Sequence, residues 1–149
     1  MNRRNFLGLG LGALAVSMAP STLSAVNYRE TKPKAWTATK TEEAMKELFG
    51  TADTIAEKVK LKAPEIAENG AVIPVTVSSD LEGSKVAIFQ DANPESTVAV
   101  FTVPKGGIID YSVRIKMAKT GNVTAVVQKG NKLYSASQEV KVTIGGCGG

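Results

Sequence analysis

Hydrophobic positions along the chain follow two different periods. Ala44, Met45, Leu48 and Phe49 recur at spacings of three and four, which places them on one face of an α-helix. Thr39 and Glu42 precede them at capping-box spacing, and Gly50 follows where a left-handed residue ends a helix. The spacing predicts one short helix whose apolar stripe packs against the rest of the domain. Ahead of it, Asn27 to Lys40 is polar, contains Lys32-Pro33-Lys34 and reads as an extended lead-in. Thr51 to Glu57 favours neither period.

From Val59 onward the period is two. Val59 and Leu61 alternate with lysines, and Ala71 to Val77 is rich in β-branched residues. Alternation continues through Val86 and Ile88, Val98 and Val100, and then Tyr111, Val113 and Ile115. It ends with Val123, Ala125 and Val127, with Leu133 beside Tyr134, and with Val140, Val142 and Ile144. Turn signals separate these runs at Asn69-Gly70, Glu82-Gly83, Asn93-Pro94, Lys105-Gly106-Gly107, Thr120-Gly121-Asn122 and Lys129-Gly130-Asn131. Seven or eight short strands with frequent turns predict an all-β fold, an immunoglobulin-like antiparallel β-sandwich with a short N-terminal helix. Pro74 has no N–H to give to a ladder, so its strand is expected at a sheet edge or with a bulge. No internal repeat is visible, and no helices alternate with strands as a parallel sheet requires.

Composition narrows the chemistry. The 149 residues suffice for one domain, and with aromatics at only 5% the core must be aliphatic. There is no histidine, which removes the commonest general base and metal ligand. A single cysteine allows neither an internal disulfide nor a thiolate metal cluster. Glu65, Glu68, Asp80 and Asp91 form no paired acid/base spacing and read as surface charge.

Residues 1–25 read as a targeting segment: Arg3 and Arg4, an apolar run from Leu7 to Ala19 too short to span a bilayer, and Leu23-Ser24-Ala25 before Val26. The arginine pair followed by Asn5-Phe6-Leu7 is similar to a twin-arginine export signal. Its removal takes the formal charge from +4 to about +2, too small to argue for nucleic acid or an anionic membrane surface.

The most informative stretch is the C-terminus, Ile144-Gly145-Gly146-Cys147-Gly148-Gly149. A lone cysteine is usually a small buried residue. Here Cys147 is third from the end, and its flanks are Gly145, Gly146, Gly148 and Gly149. Glycine offers no side chain to pack and loses much entropy on ordering, so residues 145–149 are expected to form a flexible arm beyond the domain of residues 26–144. The thiol then reaches about 10 Å past the last strand, at roughly 3.3–3.6 Å per extended residue. A bare backbone on both sides suits entry into a narrow channel. With no cation beside it, Cys147 is poorly prepared as a catalytic nucleophile, but it can hold a substrate that other enzymes activate.

That tail resembles the C-terminal signature of SoxY, the sulfur-carrier subunit of the bacterial Sox thiosulfate-oxidising system. Leu61 to Val75, with Pro64-Glu65-Ile66-Ala67-Glu68-Asn69-Gly70 at its centre, is similar to a second stretch of the family. Weaker likenesses lie at Asn93-Pro94 and Arg114 to Ala118. The resemblance spans essentially the whole chain. It implies a periplasmic carrier, not an enzyme, with thiosulfate-derived sulfur held covalently on Cys147 and with no metal and no cofactor of its own. It further implies a heterodimer with a SoxZ-like subunit. A haem-containing SoxAX-like enzyme would load the thiol, a di-manganese SoxB-like hydrolase would release sulfate, and a SoxCD-like sulfane dehydrogenase would oxidise the remaining sulfur.

Two other classes fit parts of the sequence. The terminal Gly148-Gly149 pair is shared with ubiquitin-like sulfur carriers, but those are cytosolic with a small mixed sheet, against both the export segment and the strand pattern. A periplasmic structural or adhesive module dimerising through a Cys147–Cys147 disulfide accounts for the exposed thiol but not for the glycines around it.

Overall fold

The computed structural model describes residues 26–144. Among the described residues eight strands form two sheets, and three short helices precede them in the chain. The helices are α1 (Tyr28–Thr31), α2 (Pro33–Thr37) and α3 (Thr41–Phe49). The strands are β1 (Lys60–Lys62), β2 (Ile66–Ala67), β3 (Ile73–Ser79), β4 (Lys85–Gln90), β5 (Thr97–Thr102), β6 (Ile109–Ile115), β7 (Gly121–Lys129) and β8 (Lys132–Val142). One sheet has the order β1-β3-β6 and the other β2-β8-β7-β4-β5. The predicted all-β sandwich of immunoglobulin-like kind is what forms.

Alternation decides what fills the space between the sheets. Ile73, Val75 and Val77 of β3 and Ile109 and Ile115 of β6 are buried with Val86 and Ile88 of β4, Val123, Ala125 and Val127 of β7, and Val140 of β8. A second cluster lies on the other face of the five-stranded sheet. There Ala87 and Phe89 of β4, Val126 of β7 and Leu133 of β8 meet Ala35, Ala44, Met45 and Leu48 of the helices. The molecule therefore has three layers, and β4 is buried on both faces from Val86 to Phe89. The stripe on α3 packs inward as the spacing predicted, and Gly50 closes the helix at φ 82°.

Several local expectations are corrected. Asn27 to Lys40 is not an extended lead-in but holds two helices. The Asn27 side chain accepts from the Arg29 amide to start α1, and Pro33 occupies the first turn of α2, where its missing N–H costs nothing. Lys32 between them stays outside the helical region, as a residue before proline prefers. Helices this short form only when packed. Ala35 is fully buried, and its carbonyl accepts from Thr97 Oγ1 at 2.6 Å. The Thr39–Glu42 capping box does not form: α3 begins at Thr41, preceded by Lys40, and the Thr41 hydroxyl bonds Ser96 Oγ at 2.8 Å instead. Leu133 to Val142 belong to one continuous strand.

Pro74 meets its expectation in an unexpected way. Strand β3 is central in its sheet, yet β1 reaches only from Ser78 to Thr76. At Pro74 the single neighbour is Arg114 of β6, so the proline lies on a locally free flank. Gly130 and Asn131 join β7 to β8 between Lys129 and Lys132, with Gly130 at φ 61°, the left-handed conformation that a two-residue hairpin requires of its first central residue.

Candidate functional site

The long strand β8 leads to the last described residues, and its final residues are held from both flanks. On one flank the Val142 amide donates to Thr120 Oγ1 at 2.9 Å. On the other lies β2, which pairs with β8 in parallel, Ile66 opposite Lys141 and Ala67 opposite Val142. Among the described strands this is the one parallel pair; the others are antiparallel. The Lys141 amide donates to the Glu65 carbonyl at 2.9 Å and the Thr143 amide to the Ala67 carbonyl at 3.1 Å. The Thr143 hydroxyl donates to the Glu68 carbonyl at 3.2 Å. The Gly70 amide donates to the Ile144 carbonyl at 2.8 Å, and the Gly70 carbonyl accepts from the Met117 amide at 2.8 Å, tying the same point to the end of β6. Asn69 shapes the turn by accepting from the Ala71 amide through Oδ1 at 2.9 Å. One step further back, Gln138 Nε2 donates to the Ala63 carbonyl at 2.7 Å.

Ala63 to Gly70 thus forms a strap that follows β8 to its last described residue. Two stretches singled out separately in the sequence, one around Pro64–Gly70 and one at the C-terminus, meet here. The sequence assigned the first of them no role, because the pairing joins residues 75 positions apart. The surface at this end is apolar: Ile66, Val72 and Ile144 are three of the six large hydrophobic residues left exposed among the described residues.

Cys147 and the glycines Gly145, Gly146, Gly148 and Gly149 lie outside the described residues, as does the targeting segment 1–25. Among the described residues no group of histidine, cysteine, aspartate or glutamate side chains could hold a metal ion, and no helix is long and apolar enough to cross a membrane. Burial, with the Lys32 cation adding to it, lowers the pKa of Lys85. Its ammonium lies near the rings of Tyr28 and Phe49, 5.1 and 5.4 Å from their centroids, between helices and sheet. It therefore belongs to the helix joint and not to the strap.

Fold and site together define a small β-sandwich protein whose distinctive feature is the anchored outlet of its last strand. The model of the family described as sulfur oxidation protein SoxY matches residues 45–147, and the chain belongs to the SoxY family of sulfur carriers. The structure of the sulfur carrier protein SoxY from Chlorobium limicola f thiosulfatophilum is 44% identical. It superposes with a TM-score of 0.65, over 71% of this chain and 98% of that one. Superoxide reductase (neelaredoxin) from Ignicoccus hospitalis is 19% identical with a TM-score of 0.51, over 58% of this chain and 80% of that one. At that identity the likeness is one of fold alone. No curated protein matches the chain.

Proposed function

We propose that this chain is a periplasmic carrier in thiosulfate oxidation that holds its substrate covalently on Cys147 while partner enzymes act on it. Membership of a sulfur-carrier family supports this reading. The observation that carries it to the C-terminus is the strap: Glu65, Ala67, Glu68 and Gly70 commit backbone hydrogen bonds to the last residues before the arm. These bonds fix the position of residues 141–144, from which the chain continues to Cys147.

In this reading the Cys147 thiolate joins the sulfane sulfur of thiosulfate, and an electron pair passes to a haem-containing SoxAX-like enzyme. The product is a cysteine S-thiosulfonate. A SoxB-like hydrolase adds water to its sulfonate sulfur, releasing sulfate and protons and leaving a persulfide. A SoxCD-like dehydrogenase oxidises the outer persulfide sulfur to a sulfonate, taking three oxygens from water and passing six electrons to its own redox acceptor, and hydrolysis then releases a second sulfate and restores the thiolate. Sulfur suits each step because it is polarisable and exchanges readily through S–S bonds. The carrier works as a heterodimer with a SoxZ-like subunit and is exported by its twin-arginine-type segment, residues 1–25.

Intact-mass measurement of protein incubated with thiosulfate, the loading enzyme and the hydrolase tests the proposal. Adducts of thiosulfonate and persulfide mass are expected on the parent and none on Cys147→Ser, whose melting temperature should match the parent. A Cys147–Cys147 disulfide dimer as the sole modification would instead favour a structural module.

A further inference from the structure

A cleft of about 560 Å³ opens between helices α1 and α2 and the neighbouring edges of β5 and β6. Arg29, Arg114 and Lys116 line it, and the single carboxylate in the wall is Glu95. Arg114 and Lys116 belong to the stretch that the sequence singled out and the carrier reading leaves unused. All three cations are exposed.

The wall of this cleft is unusually polar and fixed. The only buried polar residues among the described residues, Gln90, Ser96 and Thr97, stand together here. Gln90 Oε1 accepts from the amides of Ala92 and Asn93, both at 2.7 Å, and its Nε2 donates to the Glu95 carbonyl at 2.7 Å. Asn93 bridges to β6, donating to the Lys116 carbonyl at 2.7 Å and accepting from the Ala118 amide at 2.8 Å. Ser96 donates its amide to the Ala38 carbonyl at 3.0 Å, which ties the loop to the end of α2. A preorganised loop therefore sets the backbone that presents Lys116. Arg29 lies over the Trp36 ring with its guanidinium carbon 4.1 Å from the centroid, a stacking that positions its charge at the cleft. Trp36 Nε1 is the one buried side-chain donor or acceptor among the described residues with no partner.

From this convergence we propose that the cleft between β5, β6 and the N-terminal helices is a binding site for a small divalent oxyanion of the sulfate class. Three cations against one carboxylate supply the charge, and arginine matches the paired oxygens of such an ion. The site is separate from the thiol, and the proposal does not rest on the carrier reading.

The test uses the exported form bearing Cys147→Ser, so that no covalent chemistry intervenes, with sodium sulfate as probe at constant ionic strength set by chloride. Calorimetry should give saturable binding with one ion per chain. The fluorescence of Trp36, the sole tryptophan, should follow the same curve. The double variant Arg114→Ala, Lys116→Ala should bind at least about tenfold more weakly at unchanged melting temperature, since hydrogen bonds to charged groups are individually strong. Glu95→Gln should bind more tightly, an effect that misfolding cannot imitate. Sulfate heats no different from those of chloride, or a double variant that binds like its parent, would overturn the proposal. So would a cleft that ignores sulfate but takes an acidic peptide.

Discussion

Gly146 and Gly148 stand on either side of the thiol in the sequence, and in the carrier reading their lack of side chains serves clearance, not stability. A valine at either position adds bulk that an open chain end tolerates and a narrow enzyme channel does not. Gly146→Val and Gly148→Val should keep the parent melting temperature and react normally at Cys147 with a small thiol reagent. Turnover by the partner enzymes should fall by about an order of magnitude, as a tight site discriminates by roughly 1–3 kcal/mol per added group. Unchanged turnover in every partner reaction would remove the threading argument. Thr143 acts differently, because its hydroxyl holds the strap through the Glu68 carbonyl. Thr143→Val should cost no more than about 1 kcal/mol in denaturant unfolding, the usual contribution of one such bond.

Among the elements, α3 is an integral layer of the molecule and not a spare docking face. Leu48 is 2% exposed and shares a cluster with Phe89 and Val126. Leu48→Ala should therefore destabilise by about 2–5 kcal/mol in chemical denaturation, the range for a buried leucine removed from a core. A change under about 0.5 kcal/mol would mean that the helix layer is dispensable. Strand β3 makes the opposite point. Its flank at Pro74 has no strand beside it, and a proline there withholds the N–H that a passing chain could pair with. Pro74→Val should fold with near-parent stability but self-associate at concentrations where the parent does not, which light scattering would detect.

At the scale of the whole molecule, the end where β8 gives out carries Ile66, Val72 and Ile144, three hydrophobics left exposed among the described residues. Such a patch is best covered when a partner is bound. Mixing with a SoxZ-like subunit should give a heterodimer on gel filtration. A chain that stays monomeric beside such a partner would count against the assembly. Hydrogen exchange adds a local test: the amides of Lys141 and Thr143, which donate to the strap, should exchange more slowly than exposed loop amides, because they open only when the strap detaches.

What the sequence determined by itself is whatever a short run of residues decides alone. The stripe of Ala44, Met45 and Leu48, the alternation along β6 and β7, the left-handed glycines Gly50 and Gly130, and a cysteine set among glycines all express local periodicity or backbone freedom. Tertiary structure decided what needs a distant partner. Asn27 to Lys40 is too short and polar to declare its two helices, and it coils because Thr97 and Ser96 anchor it to the edge of β5. Helix α3 starts at Thr41 with Lys40 at its cap, which leaves Thr39 one position too far out to form a box with Glu42. Strand β4 reads as simple alternation although both its faces are buried, because the helices cover a face that a lone sandwich would leave to water. The strap around Ile66 and Ala67 has almost no strand signature of its own. Two residues cannot hold an extended conformation unaided, and they do so because the last residues of β8, far along the chain, supply their hydrogen bonds.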